Sequence, residues 1–533
     1  MTVRQAGERL ASSVRAFVDR RTPSDWLVLA VALIASAPAW IVKHPPLEDL
    51  AFHASTIRVL HSYGDAKFGL GAHYVLTLGR TQYLLYYLLG SVLSFVMSPM
   101  TANRLLLSVY LTGTPISIAI LCRTIGRDVR LALFAVPLLY NVMYIFGLLP
   151  FVFGIPFMFF GLAAFASHAR QPTLRTGILS GILGLATFYS HLFPFALLGA
   201  GCLLLFPWTA PQRWWKMIVP FVPLAVLVVV FLFGTPAGQL ARETASATEK
   251  AAPLADAMAR VWTWSGSIYK DQSDEAHWIA WFALVMMSGG LALRQGHPKA
   301  RGVALVLLPA ICFVAYFTTP ESRGVVWLFC QRFPILGLFT LVPFLRIPRG
   351  PAGHLMTALA AGLGISYVGT TCRVYIACER EEVGDVDGAI EHIPYGQTVA
   401  ALIFDRYSKY IEWAPYLHYG SYYQLERGGL LQFNYAPWPH WPFAYRQGVH
   451  PAVVTTPAPR WEWKPEGRDV RRELMPNYEY LMVRGSFQPP AGTYTMTWQG
   501  PKWSVWHRQE NTAPGGAAAA PEPTTAPAAE DDE

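Results

Sequence analysis

Charge is what this 533-residue chain has least of: Asp, Glu, Lys and Arg make up 14% of it, against 53% hydrophobic residues. Soluble domains carry roughly a quarter charged residues, so the composition excludes a soluble enzyme and places most of the chain in lipid. Glycine signatures for nucleotide phosphates are missing, with neither a P-loop nor a GxGxxG turn, so no nucleotide chemistry is indicated. The six cysteines lack metal-ligand spacing. Cys122, Cys202, Cys312 and Cys330 fall in or beside apolar runs and read as packing residues. Cys372 and Cys378 suit a disulfide only if exported, and on a continuing helix they point apart. The +8 balance does not indicate a nucleic-acid partner, because the basic residues lie in short clusters between apolar runs.

Those runs predict a multi-span α-helical membrane protein. Spans are expected near 26–43, 103–122, 131–147, 150–168, 175–190, 193–208, 215–234, 276–293, 302–318, 325–345 and 354–373, about eleven in all. The short run at 83–97 is the ambiguous one, and counting it as a span reverses every later loop. Reading it as interfacial puts Arg123, Arg127, Arg130, Arg170, Arg175, Arg213, Lys216, Arg294, Lys299, Arg301, Arg346 and Arg349 on the cytoplasmic side, and only Arg323 in the short loops opposite. The positive-inside rule selects that reading.

The expected organisation follows. Residues 1–25 form a cytoplasmic amino-terminal segment and 26–374 a membrane domain, with a first external loop at 44–101 and a second at 235–275. Residues 375–511 form a small extracytoplasmic α/β domain, and 512–533 a disordered Ala/Pro-rich acidic tail. VAALIF (399–404) and YEYLMV (478–483) read as buried strands, and YTMTWQGPKWSVWHR as a hairpin turning at Gly500 and Pro501. IEWAPYLHYGSYYQLERGG reads as a helix or helical turn ending at Gly428 and Gly429. The arginine-bearing leader, with no cleavage motif after the first apolar run, and the Ala/Pro-rich tail point to a bacterial inner membrane.

HPPLEDLAFH, residues 44–53, follows the first span directly. Its continuation carries apolar residues at helical spacing and is expected to lie as an amphipathic helix on the bilayer or the protein, begun by Pro45 and Pro46. Asp49, His53 and Thr56 then share a face, with Glu48 beside them. Acids in a first helical turn are ordinarily capping or dipole residues, and that reading stands beside a chemical one.

An acid just after the first span, a long first external loop, basic cytoplasmic turns, about eleven spans and an external carboxyl domain together resemble the GT-C-type membrane glycosyltransferases, which include protein mannosyltransferases and aminoarabinose transferases. The resemblance spans nearly the whole chain and rests on architecture more than on motif. It implies a polyprenyl-phosphate or diphosphate sugar donor held in the bilayer at the outer face, with Asp49 as general base and Glu48 second. Arg332, His191, Arg323 and Arg58 are then the candidates for the donor phosphate, with His53 supporting the acid. Arg332 falls within an apolar run and must face the protein interior. The stretch YNVMYIFGLLPFVFGIP departs from the class by carrying no acid. No cofactor is therefore expected, and transfer without a divalent metal is favoured. Two alternatives remain: a transporter or flippase of a lipid-linked or amphiphilic substrate, suited by Arg332 and the Gly/Pro-broken runs, and a non-catalytic relative.

Overall fold

A computed structural model describes residues 22–294, 302–324, 326–448 and 461–509. The amino-terminal segment through residue 21, the loop bearing Lys299 and Arg301, and the tail 512–533 lie outside the described residues. The protein is an integral membrane protein, mostly helical, with a small sheet near its carboxyl end. The helices Pro99–Thr124, Leu149–Arg170, Pro211–Gly234 and Pro351–Val383 are long and apolar enough to cross a bilayer. The first has 26 residues, which at ~1.5 Å each is about 39 Å against a hydrocarbon core of about 30 Å. Shorter apolar helices occupy Pro23–Ala39, Leu192–Leu205, Val303–Thr318 and Arg332–Phe344.

Two expected spans are corrected. The run at 131–147 is not one helix: Val129–Ala135 and Pro137–Leu139 are 3-10 segments and Val142–Ile145 is a single α turn. Residues 131–145 are buried throughout, so protein rather than lipid surrounds this irregular backbone. The Asn141 amide holds it by donating to Leu138 O, Leu139 O and the Tyr110 hydroxyl. The helix of the span expected at 325–345 begins later, so Arg332 does not lie about two turns inside it. It is the first residue of the helix Arg332–Leu341. The 83–97 run forms only the nine-residue helix Leu85–Leu93, too short to cross.

Near the carboxyl end, β2 (Thr398–Ile403), β3 (Leu430–Leu431), β5 (Tyr480–Arg484), β6 (Tyr494–Gln499) and β7 (Trp503–Arg508) form one sheet in the order β3-β2-β5-β7-β6. β2 is parallel to β3 and β5, while β5–β7 and β6–β7 are antiparallel. Buried on both faces, β2 and β5 are continuous apolar runs rather than alternating ones. The helix or helical turn expected in 411–429 is Ser421–Arg427, and it stops where Gly428 and Gly429 take φ of +74° and +72°. A Cβ on Gly428 would sit 2.4 Å from Phe68 O, so the chain closes here against the first loop. All six cysteines are free, and no Cys372–Cys378 disulfide forms.

Of the two placements expected for the first-loop helix, the structure shows the one against the protein: every residue of Leu50–His61 from Leu50 to Ile57 is buried. It packs between the helix Pro99–Thr124 on one side and Ser421–Arg427 on the other. Downstream, β1 (Tyr74–Leu76) pairs antiparallel with β4 (Phe443–Tyr445), and Thr77 N–H donates to Pro442 O at 2.8 Å. The first loop and residues 434–445 are thus sewn together. A seam of buried polar groups lies where they meet.

Candidate functional site

Glu48 and Asp49 precede the Leu50–His61 helix, Asp49 being its N-cap residue, and no acid occupies the first turn. Pro45 and Pro46 stand outside the helix altogether. The pair is set by backbone. Glu48 N–H donates to Ile145 O at 3.0 Å and Asp49 N–H to Phe146 O at 3.1 Å. Gly147 supports this contact with φ +72°, and a Cβ there would come within 2.8 Å of Asp49 N. The acid-free stretch around residue 145 therefore serves the site as a main-chain cradle.

The Asp49 side chain makes no capping bond to its helix. Its Oδ1 accepts from His418 Nδ1 at 2.6 Å and its Oδ2 from the Tyr435 hydroxyl at 3.2 Å. Asp49 and His418 are 6% and 7% exposed. That disposes of the capping reading: the carboxylate faces the residues that follow the membrane helices, not its own amide groups. Phe52 steadies the arrangement, its ring 4.2 Å from that of His418 and 5.2 Å from that of Tyr435. Glu48 is buried too, and its Oε2 finds no partner among the described residues. Burial, with the Asp49 and Glu462 charges adding, pushes the Glu48 carboxyl well above its usual range. Burial likewise raises Glu462.

His53 shares the seam: its backbone N–H donates to Asp49 O at 3.1 Å, but its ring does not bond the Asp49 carboxylate. Its Nδ1 meets the Tyr87 hydroxyl at 2.8 Å, and burial pulls it down to about 4, so it is neutral at physiological pH. Aromatic rings continue from there. Tyr435 packs on Trp441 at 4.7 Å, Trp441 on His440 at 6.4 Å, His440 on Tyr83 at 5.2 Å and Tyr83 on His191 at 4.8 Å between ring centroids. His191 caps the helix Leu192–Leu205, its Nδ1 accepting from Phe193 N–H at 3.2 Å, which leaves Nε2 as its free face. His440 is lowered to about 4 by burial and by the Arg332 charge.

Arg332 stands at the far end of this wall, 8% exposed, over the Phe193 ring at 5.1 Å. It donates to Trp327 O at 3.2 Å and to Leu328 O, its Nε has no partner, and it makes no ion pair among the described residues. A buried cation held only by carbonyls is an attractive place for an anion.

Two sequence candidates lie elsewhere. Arg58 donates to Leu425 O at 2.7 Å and covers the Phe68 ring, fastening the first-loop helix to Ser421–Arg427. Arg323 donates to Ala245 O at 2.7 Å and packs on Phe329. Neither joins the wall. In the second long loop, Asp274 accepts from the Ile268 and Tyr269 amides and Asp271 pairs with Arg373 at 2.9 Å, both structural uses.

Sequence reasoning missed His418, Tyr435, His440 and Glu462. A lone histidine in an aromatic stretch, PYLHYGSYY, was the available signal for His418, and nothing local ties it to a carboxylate 369 positions earlier. The cavity beside His418 and Glu462 measures about 20 Å³, room for one water or ion and not for a sugar.

No family model matches the chain, and no curated protein does. Among solved structures it is similar to ArnT from Cupriavidus metallidurans in the apo state, at 12% identity and a TM-score of 0.48, over 90% of this chain and 97% of that one. The likeness lends no residue a role.

Proposed function

We propose that the protein is a membrane glycosyltransferase that moves a sugar from a polyprenyl-phosphate or diphosphate donor to an acceptor at the extracytoplasmic face of a bacterial inner membrane, with Asp49 as general base. The observation that carries this is the use made of the Asp49 carboxylate. It is buried, released from capping, and oriented by two donors, His418 and Tyr435. An ionised carboxylate offers about four lone-pair sites, so two remain for the O–H or N–H of an acceptor. As the acceptor attacks the anomeric carbon its proton passes to Asp49, and the bond from that carbon to the donor phosphate breaks. Arg332, with His191 and His440 beside it, supplies the charge and donors for the departing phosphate at the other end of the aromatic wall. Tyr83, Trp441 and Tyr435 between them offer ring faces to the sugar.

General bases contribute about 100–10,000-fold to rate. Full-length protein in nanodiscs, given radiolabelled polyprenyl-phosphate sugars and a membrane extract as acceptor source, is expected to lose transfer by a factor of that order in Asp49→Asn, with insertion and elution volume unchanged. Undiminished transfer in that variant removes Asp49 from the mechanism.

A further inference from the structure

An open groove of about 530 Å³ lies between the start of the helix Leu174–Ser190 and the first half of the helix Pro211–Gly234. Small-molecule sites span about 300–1,000 Å³, so a ligand chain fits here. Glycines let the two helices meet at its floor. A Cβ on Gly177 would lie 2.8 Å from Pro220 Cγ, and one on Gly181 3.0 Å from Pro220 O. Buried His168 ties the same helices at one end of the groove, meeting Thr176 Oγ1 through Nδ1 at 2.8 Å and donating through Nε2 to Lys216 O at 2.9 Å. The walls are apolar and open: Leu174, Ile178, Ile182, Trp215 and Val219 line the groove and are all exposed. Charge around it has one sign. Lys216 lines the groove, Arg170, Arg175 and Arg213 flank residues that do, and all four are exposed. Between Asp128 and Glu243 the chain has no Asp or Glu, so the segments that build the groove offer these cations no acid. Trp208 and Trp214 pack at 6.0 Å beside them, and tryptophan with basic residues is the composition of a bilayer–water boundary.

We propose that this groove holds one phospholipid of net negative charge, drawn from the leaflet that the basic turns face, which the positive-inside rule makes the cytoplasmic one. An acyl chain lies along the apolar walls, and Lys216 with the flanking arginines binds the headgroup phosphate. Charge complementarity selects this occupant: a zwitterionic lipid brings its own ammonium to the same four cations and loses the net attraction. The groove is not the donor site proposed above. His191, which belongs to that site, stands at the other end of Leu174–Ser190, a 17-residue helix about 25 Å long. Lipid binding here does not depend on the transferase reading.

The test titrates full-length protein in detergent with phosphatidylglycerol or with phosphatidylcholine of identical chains, and reads lipid adducts by native mass spectrometry. The first phosphatidylglycerol is expected to bind at least tenfold more tightly than phosphatidylcholine. Joint replacement Lys216→Gln and Arg175→Gln, both at exposed positions, is expected to cut that preference at least fivefold. Arg349→Gln, at an exposed cation of another basic turn, is expected to leave it unchanged. Ile182→Trp fills the groove and is expected to weaken both lipids. Equal affinity for the two lipids overturns the proposal, as does a preference that survives the double replacement or falls equally in Arg349→Gln. Undiminished binding in Ile182→Trp places the lipid elsewhere and overturns it too. Protein dimers lost in Ile182→Trp assign the groove to a second copy, and polyprenyl phosphate bound there more tightly than phosphatidylglycerol assigns it to the donor; either result replaces the phospholipid.

Discussion

His418 is the sharpest place to perturb the site, because its contact with Asp49 joins two distant parts of the chain in one hydrogen bond. In His418→Ala that bond is lost and Asp49 keeps only the 3.2 Å contact from Tyr435. A hydrogen bond to a charged group is worth about 1.5–3 kcal/mol, more when its loss strands a buried carboxylate. If the whole amount is needed to hold Asp49 in its working orientation, kcat/KM falls by about 10–150-fold. The ring atom matters as well. Asn places an amide nitrogen near the position of Nδ1, and Gln places one near Nε2, so His418→Asn is expected to recover part of the loss and His418→Gln little. Initial rates of donor consumption in nanodiscs measure this, with the melting temperature recorded for each variant. A folded His418→Ala variant within twofold of wild type refutes the reasoning, as does equal recovery by Asn and Gln.

Gly147→Ala is expected to destabilise the protein by about 1–3 kcal/mol, since φ is +72° and the new Cβ would press on the Asp49 amide; thermal unfolding reads it, and an unchanged melting temperature contradicts the cradle. His44 sits between Glu379, 3.1 Å from Nδ1, and Asp387, 3.5 Å from Nε2. Burial works against its charge, but hydrogen bonds to Asp387 and Glu379 outweigh it and raise His44 above 6.5. The stabilisation is therefore complete below the unfolded value and disappears as pH rises through the higher folded one. The melting-temperature gap between wild type and His44→Gln should be widest near pH 6 and narrow by pH 9, and a gap independent of pH excludes the charged pairings.

Patterns that depend on near neighbours were legible in the chain. Apolar runs announced the membrane helices, because the bilayer sets both their length and their chemistry. β2, β5 and the hairpin of β6 and β7 could be read from buried apolar runs and from the turn at Gly500 and Pro501. Asp49 stood out by its position after an apolar run, and Arg332 by its charge within one. What the chain could not disclose was how those residues are used. Whether Asp49 capped its helix or faced a partner depended on where residues 418 and 435 came to rest. The Leu50–His61 segment has helical spacing whether it lies on a surface or in a core, so only packing against Ser421–Arg427 settled its burial. The 131–147 run is as apolar as a span, yet Asn141 and the surrounding helices hold it in short turns. Arg58 and Arg323 look like any other cation in sequence, and main-chain carbonyls from distant segments engage them. Local periodicity determines which face of an element is apolar; the choice of partner across hundreds of residues is made by tertiary packing, where burying a charge leaves it either satisfied or available.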